Sequence, residues 1–144
     1  MIVYLDNCCF NRPFDDQSQL RIKLETEAKI KIQDDILNEN IRLVWSYILE
    51  YENNKNPFEE RKQSIEGWKN NSYIDINENE HIVKNAEELK QLGFKTKDSL
   101  HIACAVFAKS DYFLTTDDKI LSKSGMVNEV KIIDPIGFIK EVYK

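Results

Sequence analysis

Apolar residues along this chain fall into two spacings, and the switches between them mark out its elements. Unbroken apolar or β-favouring runs occur at Ile2-Val3-Tyr4-Leu5, Ile41-Arg42-Leu43-Val44-Trp45, Tyr73-Ile74-Asp75-Ile76, Tyr112-Phe113-Leu114-Thr115 and Val130-Lys131-Ile132-Ile133. Short runs of this kind predict strands, and a run without polar alternation predicts one buried on both faces. Between them the spacing turns helical. Leu20, Leu24, Ala28, Ile32 and Ile36 predict an amphipathic helix over 18–37. Ser46 is expected to cap a helix over 47–52, and Asn56-Pro57 to cap and open another over 58–69. Ile82, Ala86 and Leu89 share one face of 79–92, with Gly93 placed as a C-cap. Thr96 is expected to cap 97–109, which is apolar nearly all round past its first turn and is therefore expected to be buried. A short helix after Asp117-Asp118 and a final one capped by Asp134 and started by Pro135 complete the set. Asn7-Cys8-Cys9 is expected to be a turn, and the segment around Arg12 to Asp16 a loop.

Strands alternating with helices predict an α/β fold: three layers, α/β/α, around a central, mostly parallel five-stranded sheet. At 144 residues the expectation is a single domain spanning 1–144. With 4 Gly and 3 Pro, long linkers are not expected. No apolar run approaches the length of a membrane span, and the start of the chain lacks a signal-peptide pattern. Three cysteines, two of them adjacent, make a poor disulfide framework, so a reduced, cytoplasmic setting is expected. The net charge of −5 argues against holding nucleic acid by bulk electrostatics but leaves a cation-dependent nuclease open.

The candidate chemistry lies in acids placed where packing would not want them. Asp6 ends the first strand, and an unpaired acid there has to face a pocket or water. Asp117 repeats that placement after the fourth strand. Asp98 opens the most apolar helix, and Glu50 follows the second strand among Ile48, Leu49 and Tyr51. Each has an ordinary explanation: Asp98 complements a helix dipole, Asp117 caps, and Glu50 and Glu52 sit on a solvated helix face. Their convergence at the carboxyl end of one sheet is what points to function, because ligands of open α/β sheets bind there. Clustered carboxylates repel one another, and a hard cation with oxygen preference, Mg²⁺ or Mn²⁺, resolves the conflict. The reaction that fits is phosphodiester hydrolysis. Cys8-Cys9 forms neither a Cys-x5-Arg loop nor a Cys-x-x-Cys pair, and Asp6-Asn7-Cys8 lacks the second Asp of the haloacid-dehalogenase phosphatases. His101, one helical turn past Asp98, is expected to pack or to support the site. Arg12, Arg42, Lys95 and Lys97 are the candidates for nucleic-acid contact.

The spacing of Asp6, of Ser46 to Glu50, of Lys97-Asp98-Ser99-Leu100-His101-Ile102-Ala103 and of Leu114-Thr115-Thr116-Asp117-Asp118 resembles the four acidic motifs of PIN-domain proteins. This is the fold of toxin-type ribonucleases in bacterial toxin–antitoxin pairs. The resemblance covers nearly the whole chain in the family's order. It implies that Asp6, Glu50, Asp98 and Asp117 are catalytic, metal-binding acids for Mg²⁺ or Mn²⁺. It also implies that Asn7, Thr115 and Asp118 surround them and that Arg12, Lys95 and Lys97 contact a single-stranded RNA substrate. An antitoxin protein and a second copy of the chain are the partners it implies. Two features depart from the pattern. Cys8 stands where the family often carries Ser, Thr or Asn, and the charged helix around 25–35 is unlike the shortest toxins. The competing expectations are a catalytically silent domain that binds nucleic acid or protein on the same fold, and a small-molecule phosphatase.

Overall fold

The computed structural model describes residues 1–143. Within them the strands are β1 (Ile2–Leu5), β2 (Arg42–Ser46), β3 (Ser72–Ile76), β4 (Tyr112–Leu114) and β5 (Lys131–Ile133). The helices are α1 (Asn7–Asn11), α2 (Leu20–Leu37), α3 (Tyr47–Asn54), α4 (Glu59–Gly67), α5 (Glu80–Gln91), α6 (Thr96–Phe107), α7 (Asp118–Leu121) and α8 (Pro135–Val142). All five strands pair in parallel in the order β3-β2-β1-β4-β5, so the expected α/β/α architecture is what forms, with a sheet that is wholly parallel.

The first strand ends up in the middle for a physical reason. Val3, Tyr4 and Leu5 are completely buried, and a strand without a polar face is stable only with neighbours on both sides and helices on both faces. It pairs with β2 through Val3 opposite Leu43 and with β4 through Tyr4 opposite Phe113. Side-chain alternation then sends Tyr4 towards α6, where its hydroxyl meets His101, while its ring stacks on Phe113 with centroids 5.3 Å apart. Phe10 of α1 meets Trp45 edge-on at 5.7 Å, both buried. Rings of this size bury enough apolar surface to contribute about 2 kcal/mol each or more.

The chain builds outwards from β1 through β2 to β3, then crosses back to lay β4 against the other edge of β1. The order of strands therefore reverses between β1 and β4, which is where open parallel sheets form their binding crevice. Asp6 and Asp117 follow these two strands.

Several local expectations are corrected. Asn7-Cys8-Cys9 is the start of α1 rather than a turn, because the Asp6 side chain accepts the Asn7 N–H and caps it. A 3₁₀ turn at Arg12–Phe14 replaces the expected loop. Lys95, not Thr96, precedes α6, and neither it nor Asp134 before α8 makes a side-chain capping bond. Asn56 accepts the Phe58 N–H at 3.1 Å in a turn ahead of α4, so Pro57 lies before that helix. Gly93, at φ +102°, reverses the chain after α5, and side chains rarely adopt that conformation. The reversal buries Phe94 and delivers Lys95 to the start of α6.

Candidate active site

At the carboxyl ends of β1 and β4 a pocket of about 480 Å³ is lined by Asp6, Asn7, Cys8, Glu52, Lys95, Thr96, Lys97, Asp98 and Asp117. Asp6 is almost fully buried and tightly held. One carboxylate oxygen accepts the Asn7 N–H at 2.8 Å, and the other accepts the Thr115 hydroxyl at 2.8 Å. Thr115 Oγ1 in turn accepts the Asp117 N–H at 3.1 Å, so one buried hydroxyl fixes both strand-end acids relative to each other. Asp117 also caps α7 by accepting the Lys119 N–H at 2.9 Å. Its capping role and its place in the pocket coexist.

Cys8 sits beside Asp6 and the loop after β4. Its sulfur accepts the Thr116 N–H at 3.3 Å and lies 3.5 Å from Asp6 Oδ2 and 3.4 Å from Thr115 Oγ1. The residue that departs from the familiar pattern thus still braces the loop after β4, through bonds weaker than a hydroxyl would make.

Asp98, in the first turn of α6, shows the electrostatic character of the pocket. Burial, then the charges of Asp6 and Asp117, push its carboxyl up to about 6, with Glu52 adding to the effect and His101 opposing it. The acids therefore act on one another. Among the described residues, no three carboxylate, imidazole or thiolate groups already stand close enough to enclose one ion. The donor set itself, carboxylate oxygens around an acid whose carboxyl is raised to about 6, has the chemistry that suits a hard divalent cation.

The fourth acid is corrected. Glu50 does not line the pocket; it accepts Lys69 Nζ at 2.9 Å on the outside of α3. Glu52, expected to be solvated, turns inward instead. It is paired with His101 Nε2 and lies 3.4 Å from the Asn7 side-chain amide. Burial alone would raise the Glu52 carboxyl, but the His101 bond and charge, with Lys97 and Asn7, hold it below the usual carboxylate range. Helical spacing carried the signal: Ile48, Leu49, Glu52 and Asn53 share one stripe, and Glu50 lies off it.

His101 is completely buried and is wired at both ends. Its Nδ1 lies 2.6 Å from the Tyr4 hydroxyl, which lies 2.7 Å from Ser46 Oγ, and Ser46 accepts the Leu49 N–H at 3.3 Å. An ionised Glu52 can only accept, so His101 Nε2 carries a proton. In the neutral ring Ser46 donates to Tyr4 and Tyr4 to Nδ1; in the charged ring both bonds reverse. Burial works against the charge, but Glu52, Asp6 and Asp98 outweigh it and raise the imidazole above its ordinary value. The chain of bonds leaves α3 at its cap and returns to α3 at Glu52.

The remaining candidates separate by location. Lys95 and Lys97 line the pocket. Arg12 does not line it: its guanidinium is held by Asp15 at 2.9 Å and by the buried Glu25 at 3.0 Å. Arg42 opens β2, at the opposite end of the sheet, over the ring of Tyr73. Asp118 faces away from the pocket and is gripped through both oxygens by Arg21, at 2.9 and 2.8 Å. Arg21 also donates to the Thr116 carbonyl at 3.1 Å, tying α2 to the loop that carries Asp117. No sequence spacing pointed to that tie.

No protein-family model and no curated protein matches the chain. Its fold does match solved structures. A chain of VapBC2 from Rickettsia felis, bound to a DNA fragment from their promoter, superposes with a TM-score of 0.58 at 15% identity, covering 93% of this chain and 98% of that one. A chain of VapBC-1 from nontypeable Haemophilus influenzae superposes with a TM-score of 0.58 at 19% identity, covering 94% and 98%. Over nearly its full length the chain thus has the PIN-like fold of these proteins.

Proposed function

We propose that this protein is a Mg²⁺- or Mn²⁺-dependent endoribonuclease that hydrolyses single-stranded RNA, acting as the toxin of a toxin–antitoxin pair. The observation that carries the proposal is the set of acids at the switch point of the sheet. Asp6, Asp98 and Asp117 line one pocket without an arginine or lysine salt bridge among the described residues, and burial, with the charges of Asp6 and Asp117 added, lifts Asp98 to about 6. The fold shared with chains of VapBC complexes supports the toxin–antitoxin part of the reading.

Asp6, Asp98 and Asp117 would hold the cation. When bound, it supplies Lewis-acid charge at a phosphoryl oxygen. Thr115 and the Asn7 N–H keep Asp6 oriented towards that position. Glu52, kept ionised and fixed by His101, accepts a hydrogen bond from the attacking water and aims it at phosphorus. Lys95 and Lys97 at the rim take the charge of the phosphate being cleaved. The bond from phosphorus to the leaving oxygen breaks as the new bond to water's oxygen forms.

The test is cleavage of a labelled single-stranded RNA in Mn²⁺, with and without EDTA, by the wild type and by Asp98→Asn. Loss of a direct ligand is expected to lower the rate more than about 100-fold, beyond the 10–100-fold typical of a supporting residue. Cleavage that survives both EDTA and Asp98→Asn overturns the mechanism.

A further inference from the structure

Tyr51 lies between Glu50 and Glu52 on α3, yet the residue is 47% exposed. Both neighbouring acids are turned off its face, Glu50 by Lys69 and Glu52 by His101. Two ammonium groups gather round the ring instead. Lys55 Nζ is 4.2 Å from the ring centroid and donates to the phenolic oxygen, while Lys97 Nζ is 5.8 Å from the centroid. Lys97 also lines the acid pocket, so ring and pocket share a wall. Elsewhere Lys69, Lys90 and Lys131 are each held by a carboxylate; among the described residues Lys55, Lys95 and Lys97 have no such pair. In a chain where acids outnumber bases by 25 to 20, this sets two ammonium groups without a carboxylate salt bridge among the described residues, Lys55 and Lys97, against an exposed aromatic ring.

That pairing of features selects a ligand. A ring offers a stacking surface to any unpaired base, and flanking ammonium groups take the phosphates on either side. A duplex keeps its bases stacked on one another and leaves nothing to lie on the ring. An acidic peptide would gain from the lysines but nothing comparable from the ring. We infer that Tyr51, Lys55 and Lys97 form a subsite for one unpaired nucleotide of a single-stranded nucleic acid, beside the acid pocket. Lys55 and Lys97 swing off the ring to hold the adjoining phosphates, and the base takes their place on Tyr51. Only the identification of the neighbouring pocket as the place of cleavage rests on the nuclease reading; the binding itself does not.

The experiment is fluorescence anisotropy of the full chain with a labelled single-stranded RNA decamer, in low salt with EDTA, which prevents cleavage. The same sequence as a duplex serves as the control. Tyr51→Ala is expected to weaken single-strand binding about tenfold, and Tyr51→Phe, which keeps the ring, to bind like the wild type. Lys55→Gln is expected to flatten the dependence of log affinity on log salt by about 0.7. Tyr51 is a surface residue, and an unchanged thermal midpoint verifies that each variant is folded. The subsite is overturned if the wild type does not bind the single strand, or if Tyr51→Ala binds it as the wild type does. It is likewise overturned if duplex binding falls equally, or if an oligoglutamate peptide displaces the RNA from the wild type but not from Tyr51→Ala. Tyr51-dependent binding without cleavage in Mn²⁺ keeps the subsite and removes the nuclease reading. Cleavage with Tyr51-independent binding does the reverse.

Discussion

Two clusters of charge sit within reach of the loop after β4, and the chain treats them in opposite ways. On the α2 side three acids are held by arginines. Asp15 is held by Arg12 and Arg61, the buried Glu25 by Arg12 and Arg21, and Asp118 by Arg21. On the pocket side Asp6, Asp98 and Asp117 share a cavity with no arginine salt bridge, and the nearest lysines stand at its rim. In the first cluster attraction holds α2 to the site's frame. In the second the charges are left unpaired, and Asp98 shows it by a carboxyl raised first by burial and then by Asp6 and Asp117. A protein of net charge −5 leaves such a conflict standing only at a cost in stability. That contrast is what the proposed cation site rests on, whereas the paired cluster holds structure together.

The contrast between Glu50 and Glu52 is the sharpest way to break this division. Glu52→Gln is expected to lower RNA cleavage about 10–100-fold, and Glu50→Gln less than about twofold, because only Glu52 touches the pocket. Equal losses would erase the distinction between the two faces of α3. Next in size is the paired cluster. Glu25→Gln leaves Arg12 and Arg21 short of a buried partner and is expected to cost about 2 kcal/mol, less than a fully buried pair because Arg21 is half exposed. Calorimetry should show the thermal midpoint falling by roughly 5–8 °C, with any Mn²⁺-induced shift preserved.

The pocket should behave oppositely under the same calorimetry. Asp98 binds its proton more tightly folded than unfolded, so its contribution to the stability of the metal-free protein is complete below about pH 4. That contribution is lost as pH rises through about 6. A cation competes with the same proton. Millimolar Mn²⁺ is therefore expected to raise the thermal midpoint by roughly 3–4 °C at pH 7.5, by far less at pH 5, and not at all in Asp6→Asn. A shift independent of pH would mean that the ion binds elsewhere. The smallest effect is expected from Tyr4→Phe, which removes one hydroxyl from the Ser46–Tyr4–His101–Glu52 chain and keeps the stack on Phe113. It should cost about 1 kcal/mol of stability and slow cleavage a few-fold at unchanged KM. A change in KM alone would show that the chain does not act through Glu52.

What the amino-acid sequence determined by itself was everything carried by local pattern. Continuous apolar runs specified a buried parallel sheet, helical spacing specified its covering, and the ends of β1 and β4 specified Asp6 and Asp117. Asp98 was legible because a carboxylate opened the most apolar helix. Even Glu52 was present in the spacing of Ile48, Leu49 and Asn53, obscured by the more familiar distance from Ser46 to Glu50. Tertiary structure alone decided which charges cancel. Arg21 meets Asp118 only because α2 packs beside the loop after β4, Arg12 meets Glu25 only because the turn at Arg12–Phe14 packs on α2, and His101 meets Tyr4 and Glu52 only because α6 lies over β1. Coulomb and hydrogen-bond energies depend on distances of a few ångströms between residues as many as 109 positions apart. No periodicity along a chain encodes such distances. They arise when the sheet places β4 against β1.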